Sequence, residues 1–343
     1  MDLQDLIFGF NRVIVDPSLA DTIRDVSQLG VSLPDFTPHV SSPMEEMLFA
    51  TGELVTSVGS IEKIPLNAQH GSEQVRTGMP VTAYDESLGK FVSLEGTGYS
   101  TSHSLVLLAP ACYVPVNYLT FYFYTRSEEL VKRSKHIRLS EDPEMDSKKD
   151  YIRDRIRFLE KTVPENSVLL IDGPLIGGDV YTIMMRSIEV FHEKNIIPLF
   201  FVKNSSSNLV TDNIMELRRK YNSDLHWSYT FLDPGERTNF FVYRDRVNHD
   251  NAKAFCYLKA FPLSPQRVEL HLKTYLRYNS LLDNLTDLVF YFLIAQGNAH
   301  NPQARPIAVA EMYARETLKL VDVLSLMKDA AIVPSMNQVR FGG

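Results

Sequence analysis

Hydrophobic residues in the middle of the chain come in short unbroken runs rather than in stripes. "SVLLID" (167–172) and "IIPLFFVKN" (196–204) are two such runs, and "DVYTIMMRSIEVFHEKN" (179–195) between them has helical character. Unbroken apolar runs suit strands covered on both faces, and their alternation with helical segments predicts parallel strand-helix-strand units. Upstream, "MPVTAYDES", "KFVSLEG", "HSLVLLAPACYVPV" and "NYLTFYFYTR" follow one another closely. They predict an antiparallel meander whose first strand ends on Asp85 and turns back through Gly89. In "DYIRDRIRFLEKTV" (150–163), Ile152, Ile156, Leu159 and Val163 recur at helical spacing, so one face docks on a sheet and Glu160 borders that stripe. Residues 1–75 alternate helical patterns with proline breaks and predict a helical N-terminal arm. Residues 76–343 form the remaining domain, which closes with two helices, "SLLDNLTDLVFYFLIAQG" and "RPIAVAEMYARETLKLVDVLSLMK".

The order of these elements is that of a ribonuclease H-like α/β fold, a mixed sheet flanked by helices. In that topology the first and fourth strands are neighbours, which would set Asp85 beside Asp172 and bring Glu160 to the same rim. Converging carboxylates repel one another unless a cation lies between them, and oxygen donors suit a hard divalent ion. Such an ion, or a pair about 4 Å apart, suits phosphodiester hydrolysis. Taken singly, Asp85 serves equally well as a turn residue, and Glu160 as a surface partner of Arg153 or Arg157. Arg267 and Glu269 alternate with apolar residues and read as an exposed ion pair.

Composition narrows the setting. The 343 residues carry 35 Lys and Arg against 42 Asp and Glu, a formal charge of −7. That excludes a uniformly basic coat for nucleic acid but not a local basic path. No apolar window approaches the roughly 18 residues of a membrane span; "LTDLVFYFLIA" is the longest candidate. The first residues lack the features of a signal peptide, so a cytoplasmic protein is expected. Cys112 and Cys256, the two cysteines, sit in apolar runs and read as buried thiols.

Six segments together resemble the NurA nuclease family over residues 80 to 330: "VTAYDES", "RFLEKTVPENSVLLIDGPL", "PLFFVKNSSSNLV", "LDPGERTNFF", "FCYLKAFPLSPQRVELHL" and "ARPIAVAEMYAR". The resemblance implies a metal-dependent DNA nuclease of 5′–3′ exonuclease and single-strand endonuclease type. It also implies two Mn²⁺ or Mg²⁺ ions, a homodimer, and partnership with a HerA-type hexameric ATPase in resecting DNA ends. It implies metal ligation by Asp85, Glu160 and Asp172. The family match favours Lys203 as a phosphate contact over an exposed loop lysine, while Arg237 serves equally well to bind a phosphate or to pair with Glu236. The basic run "TRSEELVKRSKHIR", with Arg126, Lys132 and Arg133, reads equally as the lining of a DNA path and as a solvated loop. Two departures stand out. Glu86 replaces a glycine after the first Asp, and the family's late Tyr and His align with Gln303 and Glu311. Glu311 is then the fourth expected ligand, and His300 a possible substitute. An alternative reading is a nuclease-fold scaffold subunit of the ATPase complex with weak or no cleavage.

Overall fold

The computed structural model describes residues 13–28, 53–109, 112–176, 182–185, 187–203, 207–214, 217, 220–245, 248, 250–297, 302–329 and 332. The chain opens with β1 (Val13–Val15), α1 (Ser18–Ser27), β2 (Glu53–Ser57), β3 (Lys63–Pro65) and α2 (Ala68–Thr77). The meander is β4 (Val81–Val92), β5 (Thr97–Ala109) and β6 (Cys112–Thr125), followed by α3 (Glu128–Arg133), β7 (Ile137–Leu139) and α4 (Pro143–Thr162). Next come β8 (Val168–Asp172), α5 (Thr182–Met185), α6 (Ser187–Glu193), β9 (Ile197–Val202), α7 (Leu209–Asn213) and α8 (Asp224–Phe231). Strands β10 (Glu236–Thr238), β11 (Phe241–Asp245), β12 (Ala252–Lys259) and β13 (Gln266–His271) lead to α9 (Leu272–Arg277), α10 (Leu282–Gln296), α11 (Arg305–Leu320) and α12 (Val323–Asp329).

All the strands of the described residues join one sheet, in the order β1-β6-β5-β4-β8-β9-β13-β12-β10-β3, with β11, β2 and β7 paired off that path. Within it, β6-β5-β4-β8-β9 is the ribonuclease H-like core. β5 is antiparallel to both β4 and β6, while β4, β8 and β9 are parallel. The expected helical arm is therefore only partly helical: β1 pairs with β6, β2 with β11 and β3 with β10, so the N-terminal region completes the sheet.

Alternation along the strands sorts side chains onto two faces. Val81, Ala83, Val168 and Leu170 meet α10 and the start of α11 through Leu285, Leu288, Val289 and Ile307. Tyr84, Leu169 and Ile171 meet α4 and α6 through Phe158, Leu159, Ile188 and Phe191. Both faces of β8 are thus covered, which is why its sequence is continuously apolar. α4 starts where Pro143 follows the N-cap Asp142, whose carboxylate accepts from the Met145 amide at 3.0 Å.

The hairpin turn lies later than the sequence suggests. β4 runs straight through Asp85 and Gly89 to Val92, and the turn closes where the Ser93 amide donates to the Gly96 carbonyl. Gly89 is a packing position: a Cβ there would sit 2.6 Å from Ser100 Oγ. Glu86, beside Asp85, therefore lies within a strand and not in a turn.

Candidate active site at the ends of β8 and β9

The register sets the first two carboxylates side by side. Tyr84 pairs with Ile171, and the next residue on each parallel strand is Asp85 and Asp172. Their backbones are about 4.8 Å apart, the usual spacing of neighbouring strands. By alternation both side chains point to the face of Ala83 and Leu170. Asp85 is 7% exposed and Asp172 sits at the open end of its strand. Burial first, and then the charges of Asp172 and Glu86, push the Asp85 carboxyl up to about 8.

The chain leaves β8 through Gly173, at φ +93°, whose amide donates to the Phe201 carbonyl at 2.8 Å. Such a φ favours glycine, so the Asp-Gly sequence supplies the backbone that turns away behind Asp172. Lys203, one residue past β9, reaches back with its Nζ 2.8 Å from Asp172 Oδ2. Asp85, Asp172 and Lys203 thus form one group, built by three adjacent strands.

Glu160 does not join it, for two reasons. α4 covers the opposite face, where Phe158, Leu159 and Val163 pack on Leu169 and Ile171. It also runs antiparallel to β8, so Glu160 lies at the start of that strand, where its carbonyl accepts from Lys194 just before β9. Four residues of β8 separate that end from Asp172, roughly 13 Å. The helical residue that does reach the rim is Arg155, 2% exposed, whose Nη1 lies 3.9 Å from Glu86 Oε1 behind Asp85. Its position in the apolar stripe, three after Ile152 and four before Leu159, is the sequence signal for it.

Glu311 is on the correct face, on α11, which packs over β4 and β5. Its carboxylate is engaged by Arg315 and by Gln303, whose Nε2 lies 3.3 Å away. Gln303 and Glu311 therefore contact each other. Among the described residues, no group of three or more His, Cys, Asp or Glu is gathered to hold a metal. His300 lies outside the described residues.

The expected phosphate contacts divide. Arg237 is 4% exposed, ion-paired with Asp283 at 2.6 Å, and lies over the Phe240 ring, so it ties α10 to the sheet and is closed to DNA. Arg126 donates to the Glu141 carbonyl at 3.0 and 2.6 Å, and Lys132 pairs with Glu129 at 2.7 Å. With Arg133 they stand beyond the end of β6, whose last residue, Thr125, is eight residues from Asn117, the position level with Asp85. That is roughly 26 Å or more from the carboxylates along the strand.

Arg267 and Glu269 correct the reading of an exposed pair. They are 4% and 0% exposed, because β13 lies in mid-sheet with both faces covered. Glu269 Oε1 lies 2.8 Å from Arg267 Nε and 2.7 Å from Lys253 Nζ. Cys256 is buried as expected and its thiol is pushed up to about 11 by burial, whereas Cys112 is exposed.

A mixed sheet with ribonuclease H-like order and a carboxylate pair on its two central parallel strands defines a protein of the ribonuclease H-like class. The NurA domain matches residues 109–315, more than half of the chain, so the protein belongs to the NurA family of nucleases. Asp172, Lys203 and Glu311 lie within the matched span, and Asp85 precedes it. Among solved structures, the NurA nuclease from Sulfolobus solfataricus is 11% identical over 76% of this chain and 92% of its own, with a TM-score of 0.46. A NurA solved with manganese is 7% identical over 71% of this chain and 88% of its own, with a TM-score of 0.30. The Argonaute of A. aeolicus is 14% identical over 71% of this chain and 28% of its own, at 0.31. No curated protein matches the sequence.

Proposed function

We propose that this NurA-family nuclease is a divalent-metal-dependent DNA nuclease with its reactive centre at Asp85 and Asp172. The observation that carries the reading is the carboxylate pair of buried Asp85 and half-buried Asp172, in which Asp85 is held near 8 by burial and by the neighbouring charge. Two hard oxygen donors at the open end of a sheet fit one Mn²⁺ or Mg²⁺ ion. When bound, the ion supplies a polarised water and stabilises developing charge on a phosphodiester. Asp85 and Asp172 hold and orient the ion. Lys203, in ion-pair contact with Asp172, is placed to neutralise a phosphate oxygen. The turn at Gly173 carries no side chain to obstruct a backbone phosphate.

Resection of DNA ends with a HerA-type hexameric ATPase, action as a homodimer, 5′–3′ exonuclease and single-strand endonuclease activity, and a second ion extend this reading by family analogy. Arg126, Lys132 and Arg133 then form an outer contact for DNA, far from the reacting phosphate. One observation favours the alternative of a weakly cleaving scaffold subunit. Glu160 lies on the far face, and the carboxylate of Glu311 is already bound by Arg315 and Gln303, so two carboxylates stand where four were expected. Digestion of single- and double-stranded DNA with Mn²⁺ separates the two. Cleavage that Asp172→Ala abolishes supports the nuclease; no cleavage of any DNA, with retained binding to the ATPase, supports the scaffold.

A further inference from the structure

The chain at Leu175, three residues beyond Asp172, and at Ser207, four residues beyond Lys203, is tied to one pair of side chains on β13. Glu269 Oε2 accepts from the Leu175 amide at 2.9 Å, three residues beyond Asp172. Arg267 Nη1 donates to Ser207 Oγ at 2.5 Å, four residues beyond Lys203. Arg267 and Glu269 are neighbours on one face of the strand and are ion-paired at 2.8 Å. Lys253 Nζ supplies Glu269 with a second cation, and the charges of Lys253 and Arg267 hold its carboxyl below the ordinary range despite full burial. On the other side of Arg267, Asp224 takes the Tyr257 hydroxyl at 2.9 Å and the amides of Val210 and Thr211 at 3.0 and 2.9 Å. That fixes the start of α7, just beyond Ser207.

A buried ionic cluster is a costly way to stabilise a sheet, since apolar residues of similar volume do so at least as well. What the ionic version adds here is direction, because a carboxylate and a guanidinium bond loop atoms at defined points that apolar packing would leave free to slide. We infer that Arg267 and Glu269 are positioning residues: Glu269 holds the chain at Leu175 and so orients Asp172, and Arg267 holds the chain at Ser207 and so orients Lys203. The first should govern metal affinity and the second the engagement of DNA. This rests on the ion site proposed above.

The test uses the full-length protein and Mn²⁺ alone, titrated calorimetrically, beside steady-state cleavage. Glu269→Gln combined with Lys253→Met removes the anion without stranding a lysine. It should weaken Mn²⁺ binding about 10-fold, the lower end of what loss of an outer partner of a metal ligand causes. Glu269→Asp, which keeps the charge but withdraws it from the Leu175 amide, should do the same. Ser207→Ala should leave Mn²⁺ affinity unchanged and raise KM for DNA. Wild-type Mn²⁺ affinity in a folded Glu269 variant, or wild-type KM in Ser207→Ala, would overturn the inference. Should neither Glu269 variant fold, Ser207→Ala decides alone. Asp172→Ala separates the two readings: if it binds Mn²⁺ normally the ion site itself is wrong, and if it alone loses Mn²⁺ only the clamp is wrong.

Discussion

Replacing Asp85 with Asn keeps the shape of the side chain and removes its charge, which makes it a direct probe of the carboxylate pair. The folded protein holds the Asp85 proton up to about pH 8, whereas an unfolded chain releases it near the ordinary value of 3.8. Between those values the native state binds a proton that the unfolded state does not, so native stability falls as pH rises from about 4 to about 8. Three pH units at about 1.36 kcal/mol each give roughly 4 kcal/mol by pH 7. Screening by water and Lys203 reduces this to about 2–4 kcal/mol. Asn does not titrate, so the variant escapes the loss. With an unfolding entropy of about 2.1 cal/mol/K per residue, metal-free Asp85→Asn should melt some 3–6 °C above wild type near pH 8 and level with it near pH 4. Calorimetric melts in chelator from pH 4 to 8 measure the difference. Added Mn²⁺ should raise the wild-type Tm at pH 8 and leave the variant nearly unmoved, because the ion replaces the proton. Melting curves of the two proteins that stay parallel in pH would refute the claim that burial and the charge of Asp172 hold the proton on Asp85.

Glu160→Ala should cleave DNA at the wild-type rate in a timed digestion, because the residue lies on the far face and at the far end of β8. Arg237→Ala should cost about 1–3 kcal/mol in urea unfolding, through the lost hydrogen bonds and packing of a buried guanidinium. Neutralising Arg126, Lys132 and Arg133 together should leave cleavage of short oligonucleotides unchanged. It should also lower the magnitude of the log Kd against log salt slope for long DNA by about 2–3, as expected for lost phosphate contacts. Native alkylation followed by mass mapping should label Cys112 and spare Cys256, whose thiol is buried and held up to about 11.

Local pattern determined a large part of this protein. The unbroken run 168–172, the helical spacing of Ile152 to Val163 and the order of elements specify a ribonuclease H-like sheet, because periodicity and burial are consequences of the same packing. Asp85 and Asp172 were legible for that reason: strand order implies their adjacency. The residues that sequence misplaced share another cause. Whether Glu160 reaches the rim depends on the direction and face of α4. Whether Arg267, Glu269 and Arg237 are exposed depends on which strands and helices cover theirs, and alternation reports two faces without saying that both are buried. The N-terminal strands β1, β2 and β3 are each three to five residues long and pair with partners far along the chain. Their strand character comes from those distant partners, which local sequence does not contain. Tertiary structure alone decided that Lys203 reaches back to Asp172 while Glu160 stays on the far face, and that Arg267 and Glu269 form a buried ionic pair on β13 bonded to Ser207 and Leu175, because those contacts join residues far apart in the chain.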